Sequence, residues 1–268
     1  MTEQPTPRTI DLSVEVEGSP EEVWAAIATG PGISSWFVPT TVEEREGGRT
    51  TSIFGPGPEM SIPGRVAAWE PPHRVLFAGA EGDQGMAFEW LVEAREGGSC
   101  VVRLVNSGFG SGAEWDAQYD GLEQGWRLFL KNLQLHLAHF RGQAGRAMQP
   151  MATWAGDQAT VWAAVTDALG VPAAPAPGER IVSSSDVPAF AGTVVDSEPG
   201  FRISLLLESP LPGTALIAAE SAGENSGVSI WMYLYGDEAE AVIARDEPRW
   251  SAWLAERAVP APEGAPVG

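Results

Sequence analysis

The stretch Cys100–Phe140, CVVRLVNSGFGSGAEWDAQYDGLEQGWRLFLKNLQLHLAHF, changes its period part-way along, and the rest of the chain is read outward from that change. In CVVRLVN, Cys100, Val102, Leu104 and Asn106 share one face and Arg103 lies on the other, the alternation of a half-buried strand. Beyond a glycine-rich turn, Leu122, Trp126, Phe129, Leu133, Leu137 and Phe140 recur every three or four residues. Residues 118–140 therefore read as one long amphipathic helix.

Upstream, residues 40–45, 49–54, 62–69, 73–79, 86–94 and 99–107 read as short strands separated by Gly and Pro, an antiparallel meander. In MAFEWLV, Met86, Phe88, Trp90 and Val92 share a face. Further back, Ile10–Val16 alternates as a strand. Ser19, Pro20 and Glu22 then spell a helix start, with a capping hydroxyl, a proline at the first helical position and a glutamate that closes a capping box. Gly30-Pro31-Gly32 stops that helix, and 33–37 makes a second short turn. The order strand, two short helices, six strands and long helix predicts an α+β fold. Its curved antiparallel sheet wraps the long C-terminal helix and leaves a cavity between the two.

The pattern occurs twice. Val23-Trp24-Ala25-Ala26-Ile27 returns as Val161-Trp162-Ala163-Ala164-Val165, 138 positions later. Gly64, Val66, Glu70, Pro71 and Arg74 return as Gly192, Val194, Glu198, Pro199 and Arg202, 128 positions later, and Trp126 and Leu130 as Trp250 and Leu254. Strands are expected at 149–154, 180–184, 189–196, 201–208, 214–220 and 227–235, with helices at 157–169 and 237–257. The expected organisation is a complete first domain over 1–146, a shortened second copy over 147–258 and a disordered tail over 259–268.

Composition narrows the function. The 268 residues carry 36 acidic against 16 basic side chains, a net charge of −20 that disfavours binding to phosphate backbones or anionic membranes. Residues 1–9 hold no apolar segment of the kind that directs export, and no window is long and apolar enough to cross a membrane. With a single cysteine, Cys100, no intramolecular disulfide forms, and a reducing cytoplasmic location is expected.

Six separated motifs resemble one family. These are Trp36-Phe37, Gly47-Gly48, Gly64-x-Val66, Glu70-Pro71-x-x-Arg74, Asn106-Ser107-Gly108-Phe109 and Gly125-Trp126. Residues 8–141 resemble the family named for the activator of the heat-shock protein 90 ATPase, in the START-like (SRPBCC) superfamily, and the resemblance implies a helix-grip fold. Proteins of that fold bind apolar small molecules, cyclise polyketides, sequester toxic compounds or contact a chaperone, so the likeness implies architecture before chemistry.

Motifs for chemistry are sparse. There is no GxSxG, P-loop or GxGxxG, and the run Gly108–Gly112 lacks a lysine, so it reads as a loop. His136 and His139 stand three apart on the long helix without a third ligand at a recognisable spacing. They read as exposed or capping side chains, and no metal or cofactor is expected. Glu89, Glu93 and Arg103 fall on the outer face, which leaves no candidate catalytic acid or base. Asn106 either caps the turn at Gly108 or presents a polar amide on an apolar inner face. Met86, Phe88, Trp90, Asn106, Trp126 and Phe129 are the candidate ligand-binding residues; the same aromatics serve equally as core. The leading expectation is a non-enzymatic protein binding an apolar small molecule. A chaperone-associated or other partner-binding module is the alternative, and a cyclase or hydrolase of aromatic compounds a further one.

Overall fold

In the computed structural model, which describes residues 8–55, 57–80, 85–109 and 113–259, the chain separates into two compact units, one through Ala144 and one from Gly145. The expected tail lies outside the described residues apart from Val259, as do residues 110–112 of the glycine-rich loop.

The first unit begins with β1 (Ile10–Glu17), α1 (Pro20–Ala28) and α2 (Gly30–Ser34). Ser19 Oγ accepts from Glu22 N while the Glu22 carboxylate accepts from Ser19 N at 2.8 Å, so the capping box forms as the residues predict. Then come β2 (Thr40–Val42), β3 (Arg49–Ile53), β4 (Ser61–Glu70), β5 (Arg74–Gly79), β6 (Ala87–Ala94), β7 (Ser99–Ser107) and α3 (Ala113–His139). The strands make one antiparallel sheet in the order β1-β7-β6-β5-β4-β3-β2. Its inner face packs Val66, Val75, Trp90, Val92, Val102 and Leu104 with Trp126, Leu130, Leu133 and Leu137 of α3 in one core.

The second unit holds β8 (Arg146–Met148), β9 (Met151–Ala155), α4 (Gln158–Leu169), β10 (Arg180–Val182), β11 (Ala191–Glu198), β12 (Arg202–Ser209), β13 (Gly213–Ala222), β14 (Asn225–Leu234) and α5 (Ala239–Ala255). Its sheet runs β10-β11-β12-β13-β14-β8, with β9 also on β14. Where one strand is expected at 149–154 there are two short ones, because Pro150 accepts a bond from Ile230 N but has no N–H to give back.

The pairing registers match between the units. Val16 opposes Cys100 and Ile10 opposes Asn106, as Trp154 opposes Ser226 and Met148 opposes Met232. The β4–β5 hairpin slips between Val66 and Ala68, and β11–β12 slips at the matching place, between Val194 and Asp196. Val66 exchanges backbone bonds with Gly47 and Gly48 just as Val194 does with Gly178 and Glu179. A side chain at Gly64 would meet the Ala78 carbonyl at 2.9 Å, and one at Gly192 the Leu206 carbonyl at 2.5 Å. Even the polar contact under the first helix recurs, Cys100 Sγ donating to Gly18 O and Ser226 Oγ to Gly156 O. The fold is a helix-grip arrangement duplicated in tandem, and β2 and α2 have no counterpart in the second copy.

Candidate ligand site of the first unit

Strand pairing sets one row of the inner face as Ile10, Asn106, Phe88 and Phe77, and the next as Leu12, Leu104, Trp90 and Val75. Trp126 of α3 lies over both rows, with ring centroids 5.4 Å from Phe88 and 5.7 Å from Trp90. Phe129, one turn on, lies 6.3 Å from Trp126. Phe88, Trp90, Asn106, Trp126 and Phe129 are thus gathered where the helix meets the sheet, and Met86 packs against the same core at the start of β6.

One member was not legible as a site residue. Phe37, just past α2, stacks on Trp126 at 5.1 Å and meets Phe129 edge-on at 4.6 Å, while Trp36 meets Trp90 at 5.7 Å. Asn132 Nδ2 donates to the Trp36 carbonyl at 2.7 Å, which ties this segment to α3. The Trp36-Phe37 pair stands out as a motif, but a non-periodic segment has no face from which to infer direction.

Asn106 is fully buried. Its amide nitrogen donates across the strand pair to the Ala87 carbonyl at 3.2 Å and, at 3.5 Å, to the Ser107 carbonyl that leads into the turn at Gly108. Its Oδ1 has no hydrogen-bond partner among the described residues, and neither has the indole N–H of Trp126. Two buried polar atoms thus lie unpaired inside one aromatic cluster, each leaving a desolvation cost of about 1–3 kcal/mol uncompensated.

Charged groups of this unit pair on the outer face. Arg103 donates to Asp11 at 2.7 Å and Arg74 to Glu89 and Glu70 at 2.6 Å each. The Arg103 hydrogen bond holds the Asp11 carboxyl below the usual carboxylate range, and the Glu89 bond raises the Arg74 guanidinium. His136 departs from expectation: it is buried, not exposed or capping, and burial pushes its pKa down to about 4, so it is neutral at pH 7. The buried face of α3 is wider than its apolar stripe and includes Leu128, Leu135 and His136. His139 is exposed as expected, and no group of three or more metal-ligating side chains occurs among the described residues.

Residues 17–138 match the family model described as Activator of Hsp90 ATPase homolog 1-like protein. The first unit is an AHSA1-like domain. No curated protein matches the chain in sequence. Among solved structures, the Mesorhizobium loti protein MLL2253 is 19% identical, covering 50% of this chain and 98% of its own, with a TM-score of 0.42. DynU16, of the dynemicin biosynthetic locus, is 18% identical over 92% of this chain and 96% of its own, with a TM-score of 0.41. The di-domain ARO/CYC BexL of the BE-7585A biosynthetic pathway is 15% identical over 95% and 100%, with a TM-score of 0.44. In the degenerate second copy the positions matching the AHSA1-like domain's Asn106 and Phe88 are Met232 and Ala215, and that matching Trp90 is Ile217. Trp250 takes the place of Trp126 and packs on Trp253 and Phe190.

Proposed function

We propose that the AHSA1-like domain binds an apolar small molecule where α3 meets the inner face of the sheet, in contact with Met86, Phe88, Trp90, Asn106, Trp126 and Phe129, and that it binds without reacting. The observation that carries this is Asn106, a fully buried amide whose Oδ1 has no partner among the described residues, set in an aromatic surface. A core built only for stability fills such a position with an apolar side chain, as Met232 does in the second copy.

Binding is favoured over catalysis because none of the six residues is an acid or a base of catalytic strength, and the nearby ionisable groups are engaged in ion pairs on the outer face. His136 does not supply the missing base. It lies ten residues beyond Trp126, about 15 Å along the helix axis.

Native mass spectrometry of the freshly purified full chain, first mild and then unfolding, tests the reading. The expected result is a small-molecule mass that leaves only on unfolding, or saturable quenching of tryptophan fluorescence by 2-naphthol when the isolated protein is empty. An empty protein with no saturable quenching overturns it and turns attention to a protein partner recognised by the acidic surface.

A further inference from the structure

The second unpaired atom deepens this reading, on which it rests. Asn106 and Trp126 border Phe88 from two elements: Asn106 is its direct partner across the β6–β7 pair, and the Trp126 ring lies 5.4 Å from it. Both side chains are more than nine-tenths buried. Their chemistry is opposite, and for Asn106 the two carbonyls facing the amide assign its nitrogen. The Asn106 nitrogen donates to the Ala87 and Ser107 carbonyls, so the amide oxygen, an acceptor, is the end without a partner among the described residues; an indole N–H is a donor only.

We infer that the ligand is a neutral, flat aromatic molecule carrying a hydroxyl-type group, which donates to Asn106 Oδ1 and accepts from Trp126 Nε1. A pure hydrocarbon leaves both atoms unpaired. A carboxylate brings acceptors but no donor for Asn106, and it enters a cluster whose described members, from Phe37 to Phe129, carry no positive charge. A flat ring suits aromatic walls, here Phe37, Phe88 and Trp90, each of which lies against Trp126 at a centroid separation of 5.1 to 5.7 Å. Asn106 and Trp126 are then the residues that set specificity, and the second copy, with Met232 in the asparagine's place, does not share it.

The experiment uses the full chain and four probes of one ring size: 2-naphthol, 2-methoxynaphthalene, naphthalene and 2-naphthoate. Binding is read by tryptophan quenching and by the indole N–H signals in a nitrogen-15 spectrum, with Trp126→Phe identifying the Trp126 signal. The expected order is 2-naphthol tightest, at least about tenfold over naphthalene, with the methoxy compound between them and the carboxylate weakest. The Trp126 indole signal moves with 2-naphthol and hardly with naphthalene. In Asn106→Leu the preference for 2-naphthol over 2-methoxynaphthalene falls toward unity. Because that variant tests folding as well, the wild-type indole shift stands as the independent readout. Equal binding of naphthol and naphthalene, with no shift at Trp126, overturns the hydroxyl inference while leaving an apolar site in place. Failure of all four probes overturns the site itself.

Discussion

The two units share their backbone plan but differ in the residues that plan encloses. Helices α1 and α4 start alike, after Gly18 and Gly156 with φ of 122° and 115°, and each has a side-chain cap, Ser19 or Asp157. The hairpins carry the same slip, and the glycines that let strands approach stand in matching places. Inside, the first unit holds a network of aromatic rings around a buried asparagine. The second is aliphatic along the matching strands, with Ala215, Ile217, Ile230 and Met232, and its core tryptophans lie on β9, α4 and α5. Turn, cap and slip positions are constrained by backbone geometry and persist, whereas inner-face residues need only fill volume and are free to diverge. Where the first unit keeps a polar atom in such a place, packing alone does not account for it.

Four measurements test that contrast. The largest effect is expected from Trp250→Ala, which removes a side chain only 1% exposed from the junction of Phe190 and Trp253. It costs about 3–5 kcal/mol in chemical denaturation, as a well-filled core requires. A loss under about 1 kcal/mol would mean that the second unit is loosely packed at this junction.

Next comes pH. His136 takes up its proton near 6.5 when unfolded and near 4 when folded, so the stability it contributes is complete above about pH 6.5 and is lost as pH falls toward 4. At a depression of this size the loss is about 3 kcal/mol. The three histidines all precede residue 145, so the second unit does not weaken over that interval. Its Asp157 cap, held low chiefly by the Thr160 backbone N–H, contributes stability present above about pH 4 and lost only below it. Hydrogen exchange resolved by peptide at pH 7 and pH 5, corrected for intrinsic rates, should show protection falling in the first unit alone. Equal loss in both would remove the distinction.

Ser19→Ala should cost about 1 kcal/mol, independent of pH across the acid range, since a hydroxyl cap does not titrate. The smallest effect belongs to Trp126→Phe. Removing an indole N–H that has no partner among the described residues should change stability by less than about 1 kcal/mol, because the lost area is offset by the removal of an unpaired donor. A large loss would show that the N–H is satisfied in the folded protein.

Much of the architecture was readable in advance because its causes are local. A capping box spans four residues, strand alternation shows within eight, and the recurrent G-x-V-x3-E-P-x2-R marks a hairpin whose close approach needs glycine. The inward facing of Asn106, Phe88 and Trp90 followed from the same alternation, and the ladder holds it through the register of β6 on β7. Two expectations failed. The 149–154 strand splits at Pro150, which has no N–H to return to β14, and His136 is buried outside the apolar stripe that helical period marks.

The candidate site divides along the same line. Residue order alone settled that an aromatic, uncharged face exists and that an amide stands within it, since periodicity assigns each side chain a face. Folding settled that Phe37 reaches across to stack on Trp126, that the Asn106 nitrogen donates to the Ala87 and Ser107 carbonyls, and that one acceptor and one donor beside Phe88 have no partner among the described residues. Hydrogen-bond partners and ring contacts join residues some ninety positions apart, and no local propensity records which distant group will arrive, or fail to arrive, within 3 Å.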